Sequence, residues 1–223
     1  MMTINPAVFT FFNKLEKNNN RDWFEDHKPE FKALEKEIKG FSSTLESALN
    51  SIDRIEKTKM FRIYRDVRFS KNKTPYKTHF GISLHREKPA LRGGYYVHLK
   101  SGETFIGGGF WDPSKEDLLR IRQELEIDAT DFRTLMEEPT FKAAWGNLVG
   151  DEVKTAPKGF SKEHSNIDLI KKKQYLFIKK FSDTEVLADD FYDRVVRDFK
   201  AIRPFFDYMS DVLTTDSNGV SLL

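Results

Sequence analysis

The chain has 223 residues, with 37 Lys and Arg against 35 Asp and Glu, so its formal charge of +2 excludes a general polyanion binder and leaves electrostatic function to a local patch. Cysteine is absent, which removes disulfides, thiolate nucleophiles and Cys-ligated zinc or iron–sulfur centres. Twenty Phe, seven Tyr and three Trp supply the apolar area for a core without staples, and no run of about 18 apolar residues is available to span a membrane.

Residues 1–12 carry no Lys or Arg ahead of their short apolar stretch, so no secretory signal is read there and the expected address is the cytoplasm. Asn5-Pro6 is a cap followed by a first-turn residue, and Val8, Phe11, Phe12 and Leu15 recur at helical spacing. The Asn run at 18–20 stops that helix and offers a cap to the next. Trp23 and Phe24 are expected on a short separate turn. Pro29 then stands near the start of a long helix with the stripe Phe31, Leu34, Ile38, Phe41, Leu45 and Ala48, ending near Asn50.

The period then changes. Residues 79–86 alternate, with Phe80, Ile82 and Leu84 on one face, and 94–100 and 103–110 flank Ser101-Gly102 as a hairpin loop. A two-residue loop pairs Lys100 with Glu103, His98 with Phe105 and Val97 with Ile106. Tyr95, Val97, Leu99, Ile106 and Phe110 then form a core face. Tyr96, His98, Lys100, Phe105 and Trp111 form the other, with Gly107 and Gly109 leaving gaps that something can approach. Helices return after Asp112-Pro113, where Ser114 and Asp117 resemble a capping box and Leu118, Ile121 and Leu125 share a side. Pro139 starts the piece carrying Phe141 and Trp145, 156–159 is a turn, and 174–181 is a strand. Tyr192, Val195, Val196 and Phe199 mark one late helix and Ile202, Phe206, Met209 and Leu213 another, before a tail from 214 expected to fray. With no repeat or Gly/Ser-rich linker, the reading is one α+β domain over 1–223: helices 6–50, an antiparallel sheet region 59–111, helices 114–172, a strand 174–181 and helices 189–213.

The segment 57–77 concentrates charge. Lys57, Lys59, Arg62, Arg65, Arg68, Lys71, Lys73 and Lys77 face Asp66 alone, a net +7 that leaves −5 for the rest of the chain. Guanidinium forks match carboxylate or phosphate oxygens bidentately, whereas Lys is a mobile point charge. Pro75 at the second position of a turn sets the direction of Tyr76 and Lys77, and Asp66 is the candidate second-shell orienter or general base. A strand is expected over the second half of this stretch, entering a loop at Ser70. Phe61, Ile63, Arg65, Val67 and Phe69 then share one face, and Arg65 needs a partner. The competing account is a solvated face neutralised by Asp183, Glu185, Asp189, Asp190 or Asp193.

Familiar mechanisms fail on spacing. Tyr64-Arg65-Asp66 resembles the opening of a kinase catalytic loop, but Lys71 stands where its Asn belongs. Gly102 and Gly107 have Walker spacing with Gly108 in the Lys position, and the dinucleotide pattern fails after Gly109. His27, His79, His85, His98 and His164 form no close ligand pair, and His79 and His85 are roughly 20 Å apart along a strand, so no metal or other cofactor is expected.

The run 61–70 followed by Lys73-Thr74-Pro75-Tyr76-Lys77, with Gly94-Tyr95-Tyr96, 107–111 and 157–160, resembles the bacterial and fungal family catalogued as domain of unknown function 2461. The resemblance implies a full-length cytoplasmic domain and supplies no catalytic residues. The leading expectation is a pocket for a small anionic, phosphorylated ligand, with or without catalysis. Arg62, Arg65, Arg68, Lys73 and Lys77 supply charge, Tyr76 a hydroxyl or stacking face, and Tyr96 and His98 the opposite wall. Its rivals are a nucleic-acid module and a protein-interaction domain using the same strip.

Overall fold

The computed structural model describes residues 2–216 and 218–223. Helix α1 (Ala7–Lys17) opens with the Asn5 side chain accepting the Ala7 N–H at 2.9 Å, and it buries Val8, Phe9, Phe11, Phe12 and Leu15. Asn20 caps α2 (Arg21–Asn50) by accepting the Trp23 N–H at 2.9 Å. The separate turn expected for Trp23 and Phe24 does not exist, because α2 runs straight through Pro29. Pro29 lies on the exposed side, where the carbonyl deprived of its N–H partner is open to water. On the buried side, Phe24 and Phe31 continue one stripe, their rings 5.4 Å apart.

Five antiparallel strands follow in simple order, β1 (Ile55–Met60), β2 (Phe80–Arg86), β3 (Gly94–Leu99), β4 (Phe105–Phe110) and β5 (Tyr175–Lys180). The β3–β4 register is the one that the two-residue loop dictates, with His98 opposite Phe105 and Val97 opposite Ile106. Gly102 takes a φ of 71° at its tip. Asp183 clamps that tip, accepting from Ser101 Oγ at 2.6 Å and Gly102 N–H at 2.7 Å.

Between β4 and β5 lie α3 (Lys115–Ile127), α4 (Thr130–Glu137), α5 (Pro139–Trp145) and the short α6 (Ile167–Ile170); α7 (Asp183–Val186), α8 (Phe191–Ala201) and α9 (Arg203–Thr214) close the chain. Helices from both ends pack on the same sheet face. Phe12 and Phe31 meet Phe80 from one end, Phe199 and Phe206 meet Tyr95 from the other, and Phe141 and Phe205 meet Phe177. The start of the tail expected to fray is tied down among the described residues: Arg120 donates to the Thr215 and Asp216 carbonyls, and Thr215 bridges to Ser221.

The segment 61–79 departs from expectation. The first strand ends at Met60, and beyond it only an isolated Tyr64–Tyr76 bridge remains. Arg65 N–H donates to the Pro75 carbonyl at 2.9 Å and Lys77 N–H to Ile63 at 2.7 Å, making a loose two-sided loop rather than a ladder. The alternation still sets sides, since Ile63 is buried and Arg65 and Val67 half-buried while Arg62, Tyr64, Asp66 and Arg68 are exposed. It breaks at Phe69, which is 97% exposed.

Arg86 is the residue whose environment least resembles its chemistry. Alternation from Phe80, Ile82 and Leu84 carries it onto the core face, where its side chain is 0% exposed. Its Nε donates to Asp53 at 2.8 Å. One terminal nitrogen donates to the Arg92 and Phe206 carbonyls at 2.9 and 3.2 Å and to Ser210 Oγ at 3.1 Å, and the other to Asp207 at 3.1 Å. Tyr95 donates to the same Asp53 oxygen at 2.5 Å, and Arg203 lies 3.2 Å from the other. Burial and the Asp53 carboxylate push the Tyr95 hydroxyl far above its ordinary range, so it remains a donor. Replacing Arg86 by Met would leave Asp53 buried without its main counter-charge. Urea unfolding of Arg86→Met should show a loss of roughly 3–5 kcal/mol, and a loss below about 1 kcal/mol would show that the network is not structural.

Candidate functional site

The sheet face turned away from the helices carries a different set of side chains. One row across it reads Lys59, Ser83, Tyr96, Gly107 and Ile178, and the next reads Gly81, His98, Phe105 and Lys180. Tyr96, His98, Phe105 and Ile178 are half-buried, whereas Lys57, Lys59, His85 and Lys180 are exposed. Tyr96 lies across Gly81, where an added Cβ would stand 2.6 Å from the phenol oxygen. A side chain at 81 would therefore lift the ring off the sheet. Phe61 meets Tyr96 edge-on with ring centroids 6.3 Å apart.

Three rings lie side by side at the end of this face. His98 stacks on Phe105 at 4.8 Å and 10°, and His79 lies against His98 at 4.2 Å. The Tyr96 hydroxyl and His98 Nδ1 share a hydrogen bond of 3.3 Å. Burial is the largest cause lowering the pKa of both imidazoles. His98, Lys77 and Lys100 lower that of His79 further, to about 4, with only Glu103 opposing. His79 is a neutral group near pH 7. The Tyr96 hydroxyl is raised by the same burial.

The predicted basic residues divide into two groups. Arg65, Arg68 and Lys73 brace their own loop. Arg65 donates to the Thr74 carbonyl at 3.0 Å and to the Thr74 hydroxyl, meeting its need for a partner with neutral oxygens rather than a carboxylate. Arg68 grips Asp66 through two nitrogens at 3.0 and 2.6 Å, and that contact holds the Asp66 carboxyl below its usual range. Asp66 is thus committed to an exposed ion pair and is a weak base. Lys73 Nζ donates to the Val67 carbonyl at 2.9 Å. Tyr76 turns the other way, buried and stacked on Phe24 with centroids 4.1 Å apart, while the Asn19 amide bonds both its N–H and its carbonyl at 3.1 and 3.0 Å. Its hydroxyl is raised chiefly by burial.

Lys77 and Arg62 belong to the second group, together with Lys59. The ammonium groups of Lys59 and Lys77 stand 5.0 and 5.1 Å from the centroid of Phe61, which itself abuts Tyr96. Lys77 is lowered by burial first and then by Arg62 and Lys59, which records three like charges crowded together. Among the described residues, Arg68 is the one cation of the eight in 57–77 that forms an ion pair, and its partner comes from the same segment. Two of the acidic residues named as neutralisers work elsewhere, Asp183 clamping the hairpin tip and Glu185 pairing with Arg194 at 2.6 Å, and among the described residues Asp189, Asp190 and Asp193 form no ion pair with the segment. The structure therefore brings Lys77, Tyr96 and His98 to one face, adds Lys59, Phe61 and His79, and leaves Arg62 at its margin, between Lys77 and Asp66. The parity of 57 and 59 on an edge strand was the available signal for Lys59, but sequence spacing alone does not reveal which side of the sheet lies open.

No group of three or more metal-ligating side chains is found among the described residues. A shallow depression of about 340 Å³ lies elsewhere, between α3, α4 and the 164–166 turn, lined by Glu126, Asp128, Arg133, His164 and Asn166. A family model described as a conserved hypothetical protein (DUF2461) matches residues 7–208. No curated protein and no solved structure matches the chain.

The His79 shift has a definite pH consequence. Its folded pKa of about 4 lies below the ordinary 6.5, so the unfolded chain binds the extra proton between those values. The stability it contributes is complete above pH 6.5 and is lost as pH falls towards 4. NMR titration should find the His79 ring neutral at pH 5, and His79→Phe should flatten the decline in stability across that window. A His79 resonance titrating near 6.5 would contradict the burial described.

Proposed function

The chain belongs to the DUF2461 family, and we propose that this member binds a phosphate-bearing anion on the outer face of its sheet, where β1 meets the 61–79 segment. The observation that carries the reading is the placing of Lys59 and Lys77 over Phe61, with Arg62 near enough to repel Lys77 and none of the three in an ion pair among the described residues. Convergent cations repel one another, and an incoming anion relieves that repulsion while gaining charge-assisted hydrogen bonds. Tyr96 and His98 flank the cluster with a hydroxyl and a neutral imidazole, groups that hydrogen-bond an ester or sugar oxygen. Burial, Arg62 and Lys59 all make Lys77 a costly residue to keep charged, which supports a role for it other than solubility. The bland account of Lys57 and Lys59 is that edge-strand lysines prevent sheets from pairing edge to edge, and it leaves Arg62 and Lys77 unexplained.

The test uses inorganic phosphate and a sugar phosphate. At a hundredfold excess over the dissociation constant, a bound ligand should stabilise the protein by about 2.7 kcal/mol in a thermal melt. Lys77→Met should match or exceed the wild type in stability without ligand and lose the stabilisation by ligand. Equal stabilisation of both proteins, or stabilisation no greater than chloride gives at the same ionic strength, refutes the site.

A further inference from the structure

The tip of the basic loop carries a feature that a small-anion site does not use. Phe69 is 97% exposed and Tyr64, on the same loop, is 45% exposed. Single exposed apolar residues are common, but Phe69 leaves almost its whole ring in water. Here the chain is braced. Arg65 spans to Thr74, Lys73 reaches across to the Val67 and Arg68 carbonyls at 2.9 and 3.4 Å, and Asn72 accepts from the Thr74 N–H and hydroxyl at 2.9 and 2.8 Å. The loop thus spends its polar side chains on holding a bare aromatic ring outward.

We infer that Phe69 is a stacking platform for single-stranded nucleic acid, whose phosphates lie along the unpaired cations from the loop to the sheet edge. This rests on the anion-binding reading above and identifies its ligand. Of the seven cations without an ion pair among the described residues, Arg65 and Lys73 brace the loop, and the other five follow the chain as a strip: Lys71 near the tip, Arg62 and Lys77 at the base, then Lys59 and Lys57 along edge strand β1. A strip of charge with an aromatic ring at its end suits a polymer carrying a phosphate at every step and a flat base beside it. Stacking on a pre-held ring needs no sequence recognition and little ordering of the protein. A lipid surface also attracts cations, but insertion favours several apolar groups at one depth, and the neighbouring Val67 is half-buried in the loop itself.

The experiment measures binding of full-length protein to a labelled oligouridylate of about 12 nucleotides, to heparin and to phosphatidylserine vesicles, for wild type and Phe69→Ala. The five cations of the strip set the expected log–log salt slope at about −3.5, roughly a hundredfold loss of affinity between 50 and 200 mM salt. Phe69→Ala, which removes a fully exposed ring and leaves folding untouched, should weaken the oligonucleotide roughly 5- to 150-fold and leave heparin unchanged. Oligonucleotide binding that is insensitive to Phe69→Ala, or no tighter than heparin of like charge, overturns the stacking role while the anion site stands. Binding to vesicles but not oligonucleotide, lost in Phe69→Ala, overturns it in favour of a lipid surface. Failure of the oligonucleotide, heparin and inorganic phosphate alike removes the anion reading and this inference with it.

Discussion

The architecture hangs on one buried pair of charges. Asp53 stands in the connection between α2 and β1 and Arg86 at the end of β2, and each is closed off from solvent. Neither tolerates burial alone, so the guanidinium collects oxygens from Asp53, Arg92, Phe206, Asp207 and Ser210, while Asp53 also takes Tyr95 and Arg203. Those partners come from the α2–β1 connection, the β2–β3 connection, β3 and α9. Satisfying one guanidinium therefore fixes how the C-terminal helix lies against the sheet and where α2 hands over to the edge strand. The Phe206 ring, 5.0 Å from the guanidinium carbon, closes its remaining side. A helix laid on this face leaves the opposite one to Tyr96, His98 and the lysines.

The two faces of the sheet thus follow opposite rules. On the inner face the buried guanidinium of Arg86 finds an oxygen for each of its three nitrogens. On the outer face and its flanking loop, Lys57, Lys59, Arg62 and Lys77 are gathered without an ion pair among the described residues. Local rules are commonly broken where function demands it, and the crowding of Lys59, Arg62 and Lys77 breaks the rule that like charges keep apart. The loop carrying Arg65, Arg68 and Lys73 divides the labour within one short stretch. These three hold the backbone in shape, so that their neighbours can point outward.

Much of this was legible in the sequence where a local constraint determines geometry. Ser101-Gly102 allows one hairpin register, and strict alternation then assigns Tyr95, Val97 and Ile106 to one side and Tyr96, His98 and Phe105 to the other. Alternation also placed Ile63, Arg65 and Val67 correctly relative to Arg62 and Arg68, although no strand lies beside them to make a ladder. Partners distant in sequence were not legible. Tyr76 looked like a ligand group amid basic residues, and only Phe24 from α2 and Asn19 from the α1–α2 corner turn it into core. Pro29 reads as a helix boundary unless its exposed position in a packed helix is known. An Arg at a strand end ordinarily reads as a step into solvent. Arg86 is core because Asp53 and α9 arrive to meet it.

The Asn19 amide, which hydrogen-bonds both polar atoms of the Tyr76 backbone, bears on the order in which the protein assembles. The contact spans 57 positions of chain. Closing so long a loop costs entropy that short-range helix contacts do not, and topology of this kind delays the elements that depend on it. The 61–79 segment has no ladder of its own to form early. Its fixed shape waits for the α1–α2 corner to dock, with Phe24 supplying the apolar surface and Asn19 the polar match. The basic surface is therefore ordered only once that corner has docked, and a nascent chain would not present it in finished form before then.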